Sequence, residues 1–131
     1  MFLDANIFIY ARARGSTNAP ACATLLRDIT LGSQHATTSW LVVNEVVNFY
    51  VRDGQLEAAL KAFDAIRGLP NLEILPLDAR SGAHLAYYLR AGLLTSDASH
   101  AAAMKAHQIG VLCSYDKGFD KIEGIRRVEP R

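Results

Sequence analysis

The chain has 131 residues, 50% of them hydrophobic, and a formal net charge of +1. That suffices for one well-buried core and excludes two ordinary domains, so a single domain over 1–131 is expected. The balanced charge excludes the strong electrostatic footprint of many nucleic-acid binders and leaves any polyanionic partner to a local basic surface.

Phe2-Leu3 reads as a short buried strand ending at Asp4, with an apolar helical segment over 7–11 after it. Leu25, Leu26 and Ile29 recur at helical spacing and predict a helix over 21–31. A brief β-like segment over 34–39 follows, and Ser39 is placed to cap a helix over 40–51 that Asp53-Gly54 stops. Leu56, Ala59, Leu60, Phe63 and Ile66 keep the period of an amphipathic helix over 55–67, closed by Gly68 and Pro70.

A strand is expected over 72–77, then a helix capped by Asp78 that runs until Gly92. An alanine-rich helix starts near Ser96-Asp97 and ends before Gly110, leading into an apolar strand over 111–114 and a last edge strand over 125–128. Strands alternating with helices predict an α/β fold in which a mostly parallel central sheet is flanked by helices. No internal repeat, linker or low-complexity tract interrupts it.

The two cysteines, Cys22 and Cys113, have no metal-binding spacing and are too few for a disulfide framework, which fits buried thiols in a reducing compartment. Met1 leads directly into Phe2-Leu3-Asp4 without a basic or long apolar leader, and no apolar stretch reaches the length of a membrane span. A cytoplasmic protein is expected.

Four acids stand beside apolar runs, where a carboxylate is costly: Asp4 in LDANIFIY, Glu45 in VVNEVVNFY, Asp97 in TSDASHAAA and Asp116 in CSYDKGFD. In an open parallel sheet the ligand crevice lies outside the carboxyl ends of the strands. Asp4 and Asp116 each follow a strand, and Asp97 opens a helix that runs antiparallel to the strand it feeds, so all three belong at that edge. Glu45 lies about six residues into its helix, roughly 9 Å along the axis, and must reach back along a side chain that leans toward the N-terminus. Like charges so gathered are best compensated by a hard cation such as Mg²⁺ or Mn²⁺, and carboxylate-held divalent ions suit phosphodiester hydrolysis.

Each acid also has a plainer use. Asp4 can end a strand in a turn, Asp97 can cap its helix, Asp116 sits in good turn chemistry, and Asp120 faces either a metal or water. Glu45 shares a narrow polar side with Asn44 and Asn48, which favours an inward role over a solvated one. His35, His84, His100 and His107 show no zinc pattern and read as structural, with His100 one turn after Asp97. Arg12, Arg14, Lys117 and Lys121 lie near the acids in sequence, as phosphate contacts or as a solvated face.

The four stretches resemble those of the PIN-domain nucleases, in the small format of VapC-like toxins. The motifs are LDAN with Asp4 and Asn6, a helical Glu45, a DAxxAA run from Asp97, and a hydroxyl-x-Asp-x-x-Phe run of Ser114, Asp116 and Phe119. The resemblance covers nearly the whole chain, with Ser114 where Thr is more usual. It implies a PIN-like three-layer fold and an Mg²⁺ or Mn²⁺ site built by Asp4, Glu45, Asp97 and Asp116, with Asn6 and Ser114 as supporting polar groups; Asp120, an additional acid near Asp116, is a further supporting candidate outside what the resemblance implies. It further implies endonucleolytic cleavage of RNA, a homodimer and a cognate antitoxin. Two other classes remain as alternatives. A non-catalytic RNA- or protein-binding module would keep the fold without the reaction. A receiver-type phosphoacceptor domain needs neighbouring acids after the first strand, where this chain has Ala5, and a lysine at the end of a late strand.

Overall fold

The computed structural model describes residues 1–131. In chain order the elements are β1 (Phe2–Leu3), α1 (Ala5–Arg12), α2 (Ala19–Thr30), β2 (Ala36–Ser39), α3 (Trp40–Arg52), α4 (Leu56–Arg67), β3 (Leu72–Leu75), α5 (Ala79–Arg90), α6 (Thr95–Ala106), β4 (Val111–Cys113), a 3₁₀ turn (Lys117–Lys121) and β5 (Arg126–Val128). The five strands form one sheet in the order β3-β2-β1-β4-β5, with every neighbouring pair parallel. Right-handed crossovers between parallel strands put α1 to α4 on one face and α5 and α6 on the other. Contacts agree, with α1 on α2 and α3, α3 on α4, and α5 on α6.

The sheet centre is fully apolar on both faces: Phe2, Leu3 and Leu112 are completely buried, as the central strands of a two-faced parallel sheet must be. On one face Ile7, Val42, Val43 and Val46 pack against it; on the other Ala98, Ala101 and Ala102, all buried, let α6 approach closely. No helix is long and apolar enough to cross a membrane.

Several boundaries move for local reasons. α1 begins at Ala5 because Asp4 itself caps it, accepting from the Ala5 N–H at 2.7 Å. β3 stops at Leu75, since Pro76 has no N–H to continue the ladder. Ser39 and Asp78 cap α3 and α5 as the sequence suggests, through the N–H groups of Val42 and Ser81. α6 starts at Thr95, a residue or two earlier than expected: Leu94 is its cap residue and Asp97 lies inside the first turn, so Asp97 is not a capping residue. Both cysteines are buried and free.

The strand order reverses direction at β1, which sends β2 and β3 to one side and β4 and β5 to the other. Such a switch point opens a crevice beyond the carboxyl ends of β1 and β4. The Asp4 N–H donates to the Cys113 carbonyl at 3.1 Å, and the Thr38 hydroxyl donates to the Leu3 carbonyl at 2.9 Å. These bonds continue the pairing of β1 to its last residue and fix where Asp4 leaves the sheet.

Candidate metal and catalytic site

Asp4 is only 7% exposed, and each oxygen of its carboxylate accepts from neighbours. Oδ1 accepts from the Ala5 N–H, while Oδ2 accepts from the Ser114 hydroxyl at 2.6 Å and the Asn6 amide at 2.8 Å. Asn6 also donates to Ser114 Oγ at 2.9 Å, and its Oδ1 receives the Tyr115 N–H at 3.3 Å. The Asp116 N–H donates to the same Ser114 hydroxyl at 3.0 Å. One serine hydroxyl therefore links the ends of β1 and β4.

Glu45, the residue that looks too deep in its helix, reaches the site. Ligand atoms of Asp4, Glu45 and His100 all lie within 4.8 Å of one another. The reach works because α3 springs directly from the end of β2 at the buried Ser39, so its first turns lie against the crevice. His100, 1% exposed, is the residue that sequence reasoning left among the structural histidines; its Nε2 lies 2.8 Å from Glu45 Oε2. Its spacing of three from Asp97, on one helix face amid alanines, was the available signal.

Asp97, in the first turn of α6, and Asp116, just after β4, lie near enough to add their charge but outside the tight group of Asp4, Glu45 and His100. Burial raises the Asp97 carboxyl, and repulsion from Asp116, Asp4 and Glu45 adds to it, pushing the pKa up to about 6. Burial also raises Asp4, against the lowering effect of the Ser114 hydrogen bond and the His100 ring. Burial works to raise Glu45 too, but the hydrogen bond and charge of His100 outweigh it and hold the carboxylate below its ordinary range. Asp116 is exposed and uses one oxygen, Oδ1, to receive the Gly118 N–H at 2.8 Å, which starts the 3₁₀ turn.

Asp120 stands apart from this group. Arg127 holds both its oxygens, Nε on Oδ1 at 2.6 Å and Nη2 on Oδ2 at 3.2 Å. Arg127 Nη1 also donates to the Ser114 carbonyl at 2.8 Å and to Glu129 Oε1 at 2.7 Å. Asp120 thus reaches the site only indirectly, by steadying an arginine that grips the backbone of Ser114. Phe119 beside it is completely buried. Arg12, Arg14, Lys117 and Lys121 are exposed. Lys117 opens the 3₁₀ turn instead of ending a strand, so a receiver-type arrangement is not formed.

The carboxylate oxygens of the site are hard donors, the chemistry of Mg²⁺ and Mn²⁺, with one imidazole nitrogen, that of His100, beside them and no thiol. Three or four like charges, one already pushed toward neutrality, fit a divalent cation among them.

Comparison with known proteins agrees with this geometry. The family model described as PIN domain matches residues 1–125. A VapC ribonuclease of Mycobacterium bovis and ribonuclease VapC13 of Mycobacterium tuberculosis are each 32% identical over 130 residues, 98% of either chain. The crystal structure of M. tuberculosis VapC20, described as a sarcin-ricin loop cleaving toxin, superposes with a TM-score of 0.78 at 21% identity, covering 98% of both chains. VapBC2 of Rickettsia felis, solved on a promoter DNA fragment, gives 0.76 at 17% identity over 99% of this chain and 98% of that one.

Proposed function

Because this chain belongs to the PIN-domain family, we propose that it is a divalent-metal-dependent endoribonuclease and the toxin of a toxin–antitoxin pair. The observation that carries the reading is the meeting of Asp4 and Glu45 at the switch point of the sheet, with Asp97 and Asp116 near enough to add their charge. Relatives matched along nearly their whole length are named ribonucleases.

Asp4, Glu45, Asp97 and Asp116 would hold Mg²⁺ or Mn²⁺. When bound, such an ion supplies a Lewis acid for the phosphoryl oxygen and a water acidified enough to attack near neutral pH. The chain's own residues prepare that chemistry. Ser114 and Asn6 clamp Asp4 in one rotamer, so its carboxylate is oriented before any ligand arrives. Asp97, carried on the first turn of α6, and Asp116, after β4, approach from the other side. Lys117, exposed next to Asp116, and the exposed Lys121 at the end of the same 3₁₀ turn supply positive charge for the phosphates of an RNA strand in a chain with little net charge.

Protein partners are supported by exposed apolar side chains. Phe49, Leu56 and Leu60 on α3 and α4, and Tyr87 and Leu89 on α5, are all more than 40% exposed, as an antitoxin contact and a homodimer contact require. Similar folds are found in VapBC complexes. The setting for this chemistry is the cytoplasm, where RNA and a newly made antitoxin meet.

Mapping of RNA 5′ ends after brief induction in cells tests the assignment and identifies the target together. The wild-type chain should generate new ends at one or a few sites, and Asp4→Asn should generate none. Identical ends from both proteins would refute it.

A further inference from the structure

His100 is the one site residue that the metal-binding reading leaves without a task. Its ring is 99% buried at the base of the acidic crevice, tilted against Phe2 at a centroid distance of 5.9 Å, and its Nε2 lies 2.8 Å from Glu45 Oε2. Two roles fit such a place. Nε2 can be a nitrogen ligand beside Asp4 and Glu45, or it can carry a proton and orient Glu45.

The other nitrogen decides between them. Nδ1 is buried and has no hydrogen-bond partner. A ligating Nε2 must be bare, which forces the ring proton onto Nδ1, and metal-bound histidines almost always donate that proton to a carboxylate, carbonyl or water. Here it would be a buried donor with nothing to receive it, a costly arrangement. With the proton on Nε2 instead, Nε2–H meets a carboxylate oxygen at good distance whether or not the ring carries a second proton, and in the neutral ring Nδ1 is only an idle acceptor. We infer that His100 is a positioning residue: its Nε2–H holds the Glu45 carboxylate toward Asp4 and does not bind the metal.

The inference rests on the reading of Glu45 as a metal-site acid, and it explains how a glutamate six residues into α3 is kept pointing into the crevice. A long side chain that is 28% exposed has many rotamers, and a fixed donor below it removes most of them. Gln at position 100 would place an amide N–H near the Nε2 position and preserve the role; Ala would abolish it.

Mn²⁺ titration of the full chain followed by EPR, with pulsed EPR of the bound ion, tests this without any activity measurement. Wild type and His100→Gln should bind Mn²⁺ alike, His100→Ala should bind about tenfold to a hundredfold more weakly, the usual loss on removing an orienting partner, and wild type should show no strong nitrogen coupling from a bound imidazole. Nitrogen coupling of that kind, or His100→Ala affinity equal to wild type, overturns the inference while leaving the metal site intact. The spectrum of the wild-type protein decides the ligand question even if His100→Ala fails to fold. Absence of Mn²⁺ binding by wild type, or binding indifferent to Asp4→Asn, overturns the metal-site reading and this inference with it.

Discussion

Replacing Asp97 by Asn should stabilise the metal-free protein while removing its nuclease activity. The fold holds the Asp97 carboxyl at about 6 against an ordinary 3.8, because it is half-buried and faces Asp116, Asp4 and Glu45. At about 1.4 kcal/mol per pKa unit that shift corresponds to about 3 kcal/mol, which solvent around a half-buried group reduces to about 1–2 kcal/mol. The sign follows from the direction of the shift. A raised carboxyl pKa means the fold favours the protonated form, so this contribution is present below pH 3.8 and is lost as pH rises through about 6. Asn cannot ionise and does not suffer the loss. In EDTA at pH 7.5 the variant should therefore melt about 3–8 °C above wild type for a domain of this size, and the two should converge near pH 4. Calorimetry or circular dichroism at both pH values measures it. A variant less stable than wild type at pH 7.5, or an advantage unchanged at pH 4, would show that Asp97 does not sit in a repelling carboxylate cluster.

The same repulsion makes a cation stabilising: Mg²⁺ or Mn²⁺ at a hundredfold excess over its dissociation constant should add about 2.7 kcal/mol, seen as a rise in melting temperature that Asp4→Asn largely removes. Arg127→Ala takes a donor from the Ser114 carbonyl and frees Asp120 and Glu129; urea denaturation should show a loss of about 1–3 kcal/mol, with a smaller loss for Asp120→Ala, whose side chain is 51% exposed. Phe119→Ala empties a completely buried position three residues from Asp116, and should cost about 3–5 kcal/mol along with much of the cleavage rate. If Phe119→Ala unfolds no more easily than wild type, the 3₁₀ turn is not anchored as described.

Much of this architecture was legible because local signals agreed with the global pattern. Ser39 and Asp78 stand where caps were expected, and the alternation of short apolar runs with amphipathic stretches led to the parallel sheet. The edge on which Asp4 and Asp116 lie followed from topology alone. What was not legible depended on side-chain reach and on turns of a single residue. Whether Glu45 arrives at the crevice depends on how closely α3 abuts β2, which no periodicity records. Asp97 reads equally well as a cap or as a first-turn residue, and the choice of Leu94 as cap shows only in the backbone. His100 looked like any other histidine because its meaning lies in its neighbour across the fold, 55 positions away in sequence. Asp120 offered a spare acid until β5 supplied Arg127 to occupy it.

Cleavage of RNA by the purified chain, followed in Mg²⁺, after EDTA and after Mg²⁺ is restored, with Asp4→Asn and Glu45→Gln alongside, tests the central claim most directly. Cutting should appear with the metal, stop with the chelator, return with the metal, and be absent from both folded variants. Cutting that persists in excess EDTA, or that survives both substitutions, would contradict a carboxylate-held divalent ion as the engine of this protein.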